Sequence, residues 1–375
     1  MFCVVLELMQ ERSPAWPVSL TPVSFPLIAS VARALPPHYH PQEELSAGLQ
    51  ALWSQHRSFN PARVNALHSS VQVRGRHLAI PMADYPALDT FAKRNAVWIR
   101  EAVKLGAQAV RAAVDKAGLQ LKDIDVLCFT SITGLATPSI DARLMNVLGL
   151  RPDVKRVPIF GLGCVAGVAG TARVSDLLRG FPKQNAVLLS VELCSLTVQR
   201  DDIAVGSIIA AGLFGDGAAA MVLRGGDSAG EGPRVVATQS VFYPATEEVM
   251  GWDFLDTGFK VVLSARVPDM VLENVRGNVD AFLTTQGLKR SDVQHWVAHT
   301  GGPKVLEAFE SSLELPPGAL ARSWESLRSV GNLSSASVLY VLSDLLEAKV
   351  AKAGDVGLMM AMGPGFCAEL VLLRW

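Results

Sequence analysis

A chain of 375 residues, half of them hydrophobic, is too long for one small core and carries enough apolar surface for two domains or one large layered one. Its 34 basic and 35 acidic side chains nearly cancel, which excludes a field built to attract nucleic acid or an anionic membrane. The expected partner is a small molecule or a second copy of the chain.

The first element is not a membrane segment. Phe2 to Leu6 is apolar, but no basic residue precedes it and Glu7 interrupts it, so neither a signal peptide nor a span is expected. Ser13 to Pro26 holds four prolines and no helical period, which marks 1–26 as a leader or extended arm. The five cysteines (Cys3, Cys128, Cys164, Cys194, Cys367) are scattered, with no CxxC pair and no zinc-finger spacing, the pattern of a reducing, cytoplasmic protein. His38 and His40, in "LPPHYHPQ", read as a surface turn, and His68 and His77 flank a basic stretch.

From residue 121 onward the chain reads twice. "LKDIDVLCFTS" (121–131) parallels "RSDVQHWVAHT" (290–300), and "CVAGVAGTARVSDLL" from Cys164 parallels "NLSSASVLYVLSDLL" from Asn332. Downstream, "NAVLLSVEL" (185–193) parallels "DVGLMMAMG" (355–363), and "GDGAAAMVLR" (215–224) parallels "GPGFCAELVLLR" (363–374). Each half thus predicts a short apolar strand, a small-residue helix, another apolar strand and a Gly-X-Gly turn into a β-rich run. Strands apolar on both faces that alternate with helices indicate a layered α/β sandwich, with the two helices after Cys164 and Asn332 buried at its centre. The expected division is 27–232 for the half that carries the cysteine and 233–375 for the half that carries the histidine and asparagine. "CSLTVQRDDIAVGSIIAAGLF", between Glu192 and Gly215, has no counterpart in the second half, and such insertions usually serve binding or assembly.

The repeat makes Cys164 and Asn332 equivalent, each at a strand-to-helix junction. Free N–H groups and the helix dipole at such a junction favour a thiolate. His299 ends the strand that matches 126–130, the place where α/β folds present catalytic groups. Taken singly, each has a plain alternative: Cys164 as a small buried hydrophobe, His299 satisfied by backbone, Asn332 as a helix N-cap. Taken together, a thiol, an imidazole and an amide compose a nucleophile with an oxyanion site.

The motifs "GCVAGVAG", "LFGDGAAA", "AHTGGPKVLE" and "GNLSSAS", in that order and spacing, resemble the type III polyketide synthases, the chalcone synthase-like branch of the thiolase superfamily. The likeness runs from "LIASVARALPPHYHPQEE" to the C-terminal "GPGFCAELVLL". It implies a homodimer of αβαβα subunits that uses acyl-CoA and malonyl-CoA without cofactor or metal. Cys164 would be nucleophile and acyl carrier, His299 base and imidazolium partner, and Asn332 oxyanion donor. The resemblance makes Phe214 a gatekeeper between a coenzyme A tunnel and the cavity, and puts Val261 where a second gatekeeper phenylalanine is missing; Phe259 lies two positions earlier. It also implies cavity-lining places for Cys194, Thr197, Gly363 and Pro364, a contribution of Thr137 across the dimer interface, and Arg63 as the one cation in place to grip coenzyme A.

The run "VFYPATEEVMGWDFLDTGFKVVLSARVPDMV" is similar to bacterial members that use fatty acyl starters and make alkylpyrones or alkylresorcinols. The alternatives are a malonyl- or aromatic-primed synthase of the tetrahydroxynaphthalene or chalcone type, a fatty-acid initiation ketosynthase, and a non-catalytic acyl-CoA-binding homologue.

Overall fold

A computed structural model describes residues 24–375. Most of the stretch expected as a leader, and Cys3 with it, lies outside the described residues.

Nine strands form a mixed sheet in the order His295–Ala298, Val356–Gly363, Cys367–Arg374, Arg234–Phe242, Leu27–Ala34, Asp216–Arg224, Asn185–Leu193, Val126–Thr130, Lys155–Ile159. The sheet is two half-sheets that meet at a single pairing, Leu27 with Arg234. Counted outward from that seam, each half runs antiparallel, antiparallel, parallel, and the first adds Lys155–Ile159 as an edge strand. The sequence repeat is therefore a repeat of topology. It extends to local detail: the turn before each innermost parallel strand is closed by an aspartate on a backbone N–H three residues earlier, Asp123 on Gln120 and Asp292 on Lys289.

The helices Ala166–Gly180 and Ser337–Ala348 fill the space between the half-sheets. Every residue from Ala166 to Ala172 is buried, and exposure on this helix begins only at Arg173, with Asp176 and Gly180 following at helical spacing. Phe91–Lys116 and Ile140–Leu148 cover the outer face of the first half-sheet; Val267–Thr285, Pro303–Leu313 and Ala321–Val330 cover that of the second. The result is the expected five-layered αβαβα sandwich.

Glycine lets the central layer close. A Cβ at Gly167 would sit 2.3 Å from the carbonyl oxygen of Ser335, a backbone atom with no rotamer to escape into. Gly167→Ala is therefore expected to lower stability by roughly 1–3 kcal/mol or more, the usual cost of overpacking. Urea unfolding at an unchanged midpoint would show that the two helices can part without cost.

The unmatched insertion forms the short helical turn Cys194–Thr197 and the helix Val205–Leu213. It packs beneath the helices Gln42–Trp53 and Pro61–Ser70 and beside the hairpin Met250–Leu255/Gly258–Leu263. Two histidines of this region differ from expectation. His38 and His40 lie in a strand paired with Gly75–Leu78, not in a turn. His68 is buried, with Nδ1 2.7 Å from Ser46 Oγ and Nε2 3.0 Å from the carbonyl of Ile208, because its helix must bond the inserted helix below it.

Candidate active site

Cys164 occupies the turn Gly163–Val165, between the edge strand and its central helix. Gly163 takes φ +53°, and a Cβ there would press on Pro364 at 2.9 Å, so the turn requires glycine. The Cys164 thiol lies 3.6 Å from Ser334 Oγ. Burial pushes it up to about 12, Ser334 counters this, and the charge of Glu192 adds to it. Desolvation thus outweighs the helix-terminus effect expected from the sequence, because the helix start is sealed inside the molecule.

His299 follows the strand His295–Ala298, and its backbone N–H donates to the carbonyl of Met360 at 2.9 Å. Neither ring nitrogen has a partner, although the side chain is 3% exposed. Burial lowers its pKa to about 4. The backbone-satisfied alternative fails for the ring: only the main chain is satisfied.

Asn332 stands two residues ahead of the helical turn Ser334–Ala336 that leads into the helix at Ser337, and the helix-start role expected of an asparagine is met by its side-chain oxygen alone. Its Oδ1 accepts from the Ser334 N–H at 2.7 Å and the Ser337 hydroxyl at 3.3 Å, which leaves Nδ2 as the free end. Its main chain is bonded on both sides to the segment that carries Phe214, through Leu213 O and the Gly215 N–H, each at 2.9 Å.

Two segments draw the three residues together. The strand Val356–Gly363 holds His299 through Met360, and its last residue, Gly363, lies so close to the Cys164 turn that a Cβ would be 2.8 Å from Val165 N. Ser334, which touches the thiol, is two residues from Asn332. Gly363 and Pro364 lie against the turn that carries Cys164.

A cavity of about 420 Å³ meets this region through Phe214; Val261, Cys194, Thr197, Arg76 and Trp252 also line it, and Cys164, His299 and Asn332 do not. Residues of the inserted helix and of Gln42–Trp53 complete it. Phe214 belongs to both places: its main chain pairs with Asn332 and its side chain faces the cavity. Phe259 is buried at 3% against Phe91 and Phe254, so Val261, not Phe259, holds the wall position. Thr137 is exposed on the loop after Val126–Thr130, and Arg63 is exposed on Pro61–Ser70; neither reaches the cavity within one chain.

Sequence reasoning missed Arg76, which donates to the carbonyls of Ala211 (2.7 Å) and Phe214 (2.6 Å) from a site 4% exposed and so anchors the gate segment. It also missed Ser334, Ser335 and Glu192. The only available signal was a carboxylate inside an otherwise apolar strand, "NAVLLSVEL".

The layered duplicated fold, with a cysteine and an asparagine at equivalent central junctions and a buried histidine whose ring has no partner among the described residues, is that of a thiolase-like condensing enzyme. Residues 24–228 match the N-terminal domain of chalcone and stilbene synthases, and 234–375 match the C-terminal domain. The chain is 50% identical to the 1,3,6,8-tetrahydroxynaphthalene synthase of Streptomyces peucetius subsp. caesius, with 93% of each chain covered. It is 34% identical to the phloroglucinol synthase of Pseudomonas fluorescens, over 91% of this chain and 96% of that one. The crystal structure of the Streptomyces coelicolor tetrahydroxynaphthalene synthase, a bacterial type III polyketide synthase, superposes with a TM-score of 0.88 at 33% identity, covering 93% of this chain and 99% of that one. The chain belongs to the chalcone and stilbene synthase family and is a type III polyketide synthase.

Proposed function

We propose that Cys164 carries the growing acyl chain and that His299 and Asn332 hold the enolate that extends it. The observation that supports this most is that the His299 ring nitrogens and Asn332 Nδ2 have no partner among the described residues, while Cys164 sits in a glycine-shaped turn against Ser334, two residues from Asn332. Burial drives thiol and imidazole alike toward neutrality, so charge on either is sustained only by opposite charge on the other. Proton transfer from Sγ to the ring therefore arms the nucleophile and depends on both residues. The thiolate attacks the starter thioester, forming the acyl-S bond and releasing coenzyme A. Malonyl-CoA then loses carbon dioxide; the electron pair of the broken C–C bond becomes an enolate whose oxygen accepts from the ring N–H and Asn332 Nδ2. Its carbon attacks the acyl carbonyl and expels the Cys164 thiolate. Repetition and ring closure give the product, and nothing in these steps calls for a metal or cofactor. Two copies of the chain would form the working unit, with Thr137 offered to the neighbouring site.

For the starter we place malonyl-CoA first. The relative at 50% identity is named for a naphthalene that bears hydroxyl groups and no alkyl chain, a skeleton that two-carbon units alone can build. A fatty acyl starter, giving an alkylpyrone or alkylresorcinol, is the second reading. It is favoured by Val261 in the cavity wall and by the largely apolar lining, where each buried methylene would gain about 0.8 kcal/mol. Incubation with malonyl-CoA alone, and with a panel of acyl-CoAs, followed by mass spectrometry of the products, separates the two.

Val261→Phe sharpens that test. Added bulk in the wall typically costs about 1–3 kcal/mol, hence a roughly five- to 150-fold loss in kcat/KM for long acyl-CoAs, with short starters spared. An unchanged ratio of long to short would remove Val261 from the passage.

A further inference from the structure

Glu192 is a fully buried carboxylate of the first half that the condensation chemistry does not use. It is 0% exposed, and no cation among the described residues pairs with it. Four donors satisfy it instead. Its Oε2 accepts from the hydroxyls of Ser131 (3.2 Å) and Thr133 (3.0 Å) and from the Ile132 N–H (3.1 Å), and its Oε1 accepts from the hydroxyl of Ser335. Ser190, two residues earlier on the same face of the strand, approaches the Ser335 hydroxyl at 2.6 Å. Ser335 adjoins Ser334, the partner of the Cys164 thiol, and its carbonyl abuts Gly167 in the helix that Cys164 starts.

We propose that Glu192 is a positioning residue for Cys164: its carboxyl group fastens the Ser334–Ser335 turn against the nucleophile's helix, and its charge governs how readily the thiol ionises. This rests on the reading of Cys164 as the acyl-carrying thiol. Three pieces of chain meet at this carboxyl group, namely the loop after Val126–Thr130, the strand Asn185–Leu193 and the turn Ser334–Ala336. None of the donors carries charge; their hydrogen bonds favour the ionised carboxylate, and burial opposes it more strongly. Burial raises it to about 7, within the range in which an enzyme works. The titratable groups that face it are Cys164 and, on the following turn, Cys194; Asp216 and Arg76 lie beyond Cys194. The sign follows from like charge. An ionised Glu192 opposes a thiolate at Cys164, and a protonated one does not.

The experiment is the pH dependence of Cys164 alkylation by iodoacetamide, followed by peptide mass spectrometry so that the other cysteines are counted separately. Glu192→Gln keeps the shape: its amide oxygen can serve the three donors on one side, and the Ser335 hydroxyl can turn to accept from the amide N–H. The midpoint for Cys164 is expected to move to lower pH by about one unit or more, with alkylation about tenfold faster at a fixed pH below it. Wild type should show a second inflection near neutrality that the variant lacks. Equal midpoints in the two folded proteins would overturn the proposal. Should the variant not fold, a single ionisation in the wild-type profile would overturn it equally. Because alkylation is read without any condensation, failure here is distinct from failure of the polyketide reading, which would appear as retained product formation in Cys164→Ala.

Discussion

Cys164→Ala yields a folded protein that takes up no acyl group and makes no polyketide. The side chain is 7% exposed and its one polar contact is the long one to Ser334, so truncation to a methyl group removes about 1 kcal/mol of packing and leaves no strong donor orphaned. The chemistry loses everything, since the carbon–sulfur bond has no substitute nearby. Loss of a covalent nucleophile lowers turnover by about a millionfold in comparable systems. Malonyl-CoA decarboxylation, by contrast, continues, because the His299 ring and Asn332 Nδ2 remain in place. Intact-mass measurement after incubation with acyl-CoA reads the first outcome and release of carbon dioxide reads the second. An acylated variant would place the carrier elsewhere.

His299→Ala and Asn332→Ala each slow malonyl-CoA decarboxylation by roughly two to three orders of magnitude, the usual cost of one oxyanion donor. They differ in what else they cost. The His299 ring bonds nothing in the fold, so its removal should leave the urea midpoint nearly unchanged. Asn332 Oδ1 serves both Ser334 and Ser337, and its loss strands two buried donors at about 1–3 kcal/mol each. Asn332→Asp resolves the ambiguity: it keeps the acceptor that holds the turn but replaces the free amide with an acceptor-only group. Retained stability with lost decarboxylation assigns Nδ2 to the enolate. Decarboxylation at the wild-type rate in both His299→Ala and Asn332→Asp would remove the pair from the site.

The duplicated architecture was legible before any coordinates, because it is written in local pattern. Apolar strands at matched spacing, two small-residue helices and two Gly-X-Gly turns each declare themselves within a dozen residues, and the half-sheets carry them in the same order and direction. The three candidate site residues stood out for the same reason: once the halves are aligned, Cys164 and Asn332 share a position, and His299 ends a matched strand. Val261 came from one spacing argument along the hairpin, and its side chain is among those that line the cavity.

What packing alone decided is the energetic character of those residues. A helix start in isolation would stabilise a thiolate, yet Cys164 is pushed up to about 12 because the opposing half-sheet and the Ser334 turn exclude water from it. The role of Arg76 as anchor of Phe214, and of Glu192 as the clasp on Ser335, join residues 138 and 143 positions apart, and no pattern along the chain marks such partners. His38 and His40 were misplaced for the same cause: the strand that pairs with them, Gly75–Leu78, lies more than thirty residues away in sequence. Periodicity and spacing are properties of neighbours in sequence, so the chain states them outright; desolvation and buried polar pairing are properties of neighbours in space, and these exist only once the two halves have closed on each other.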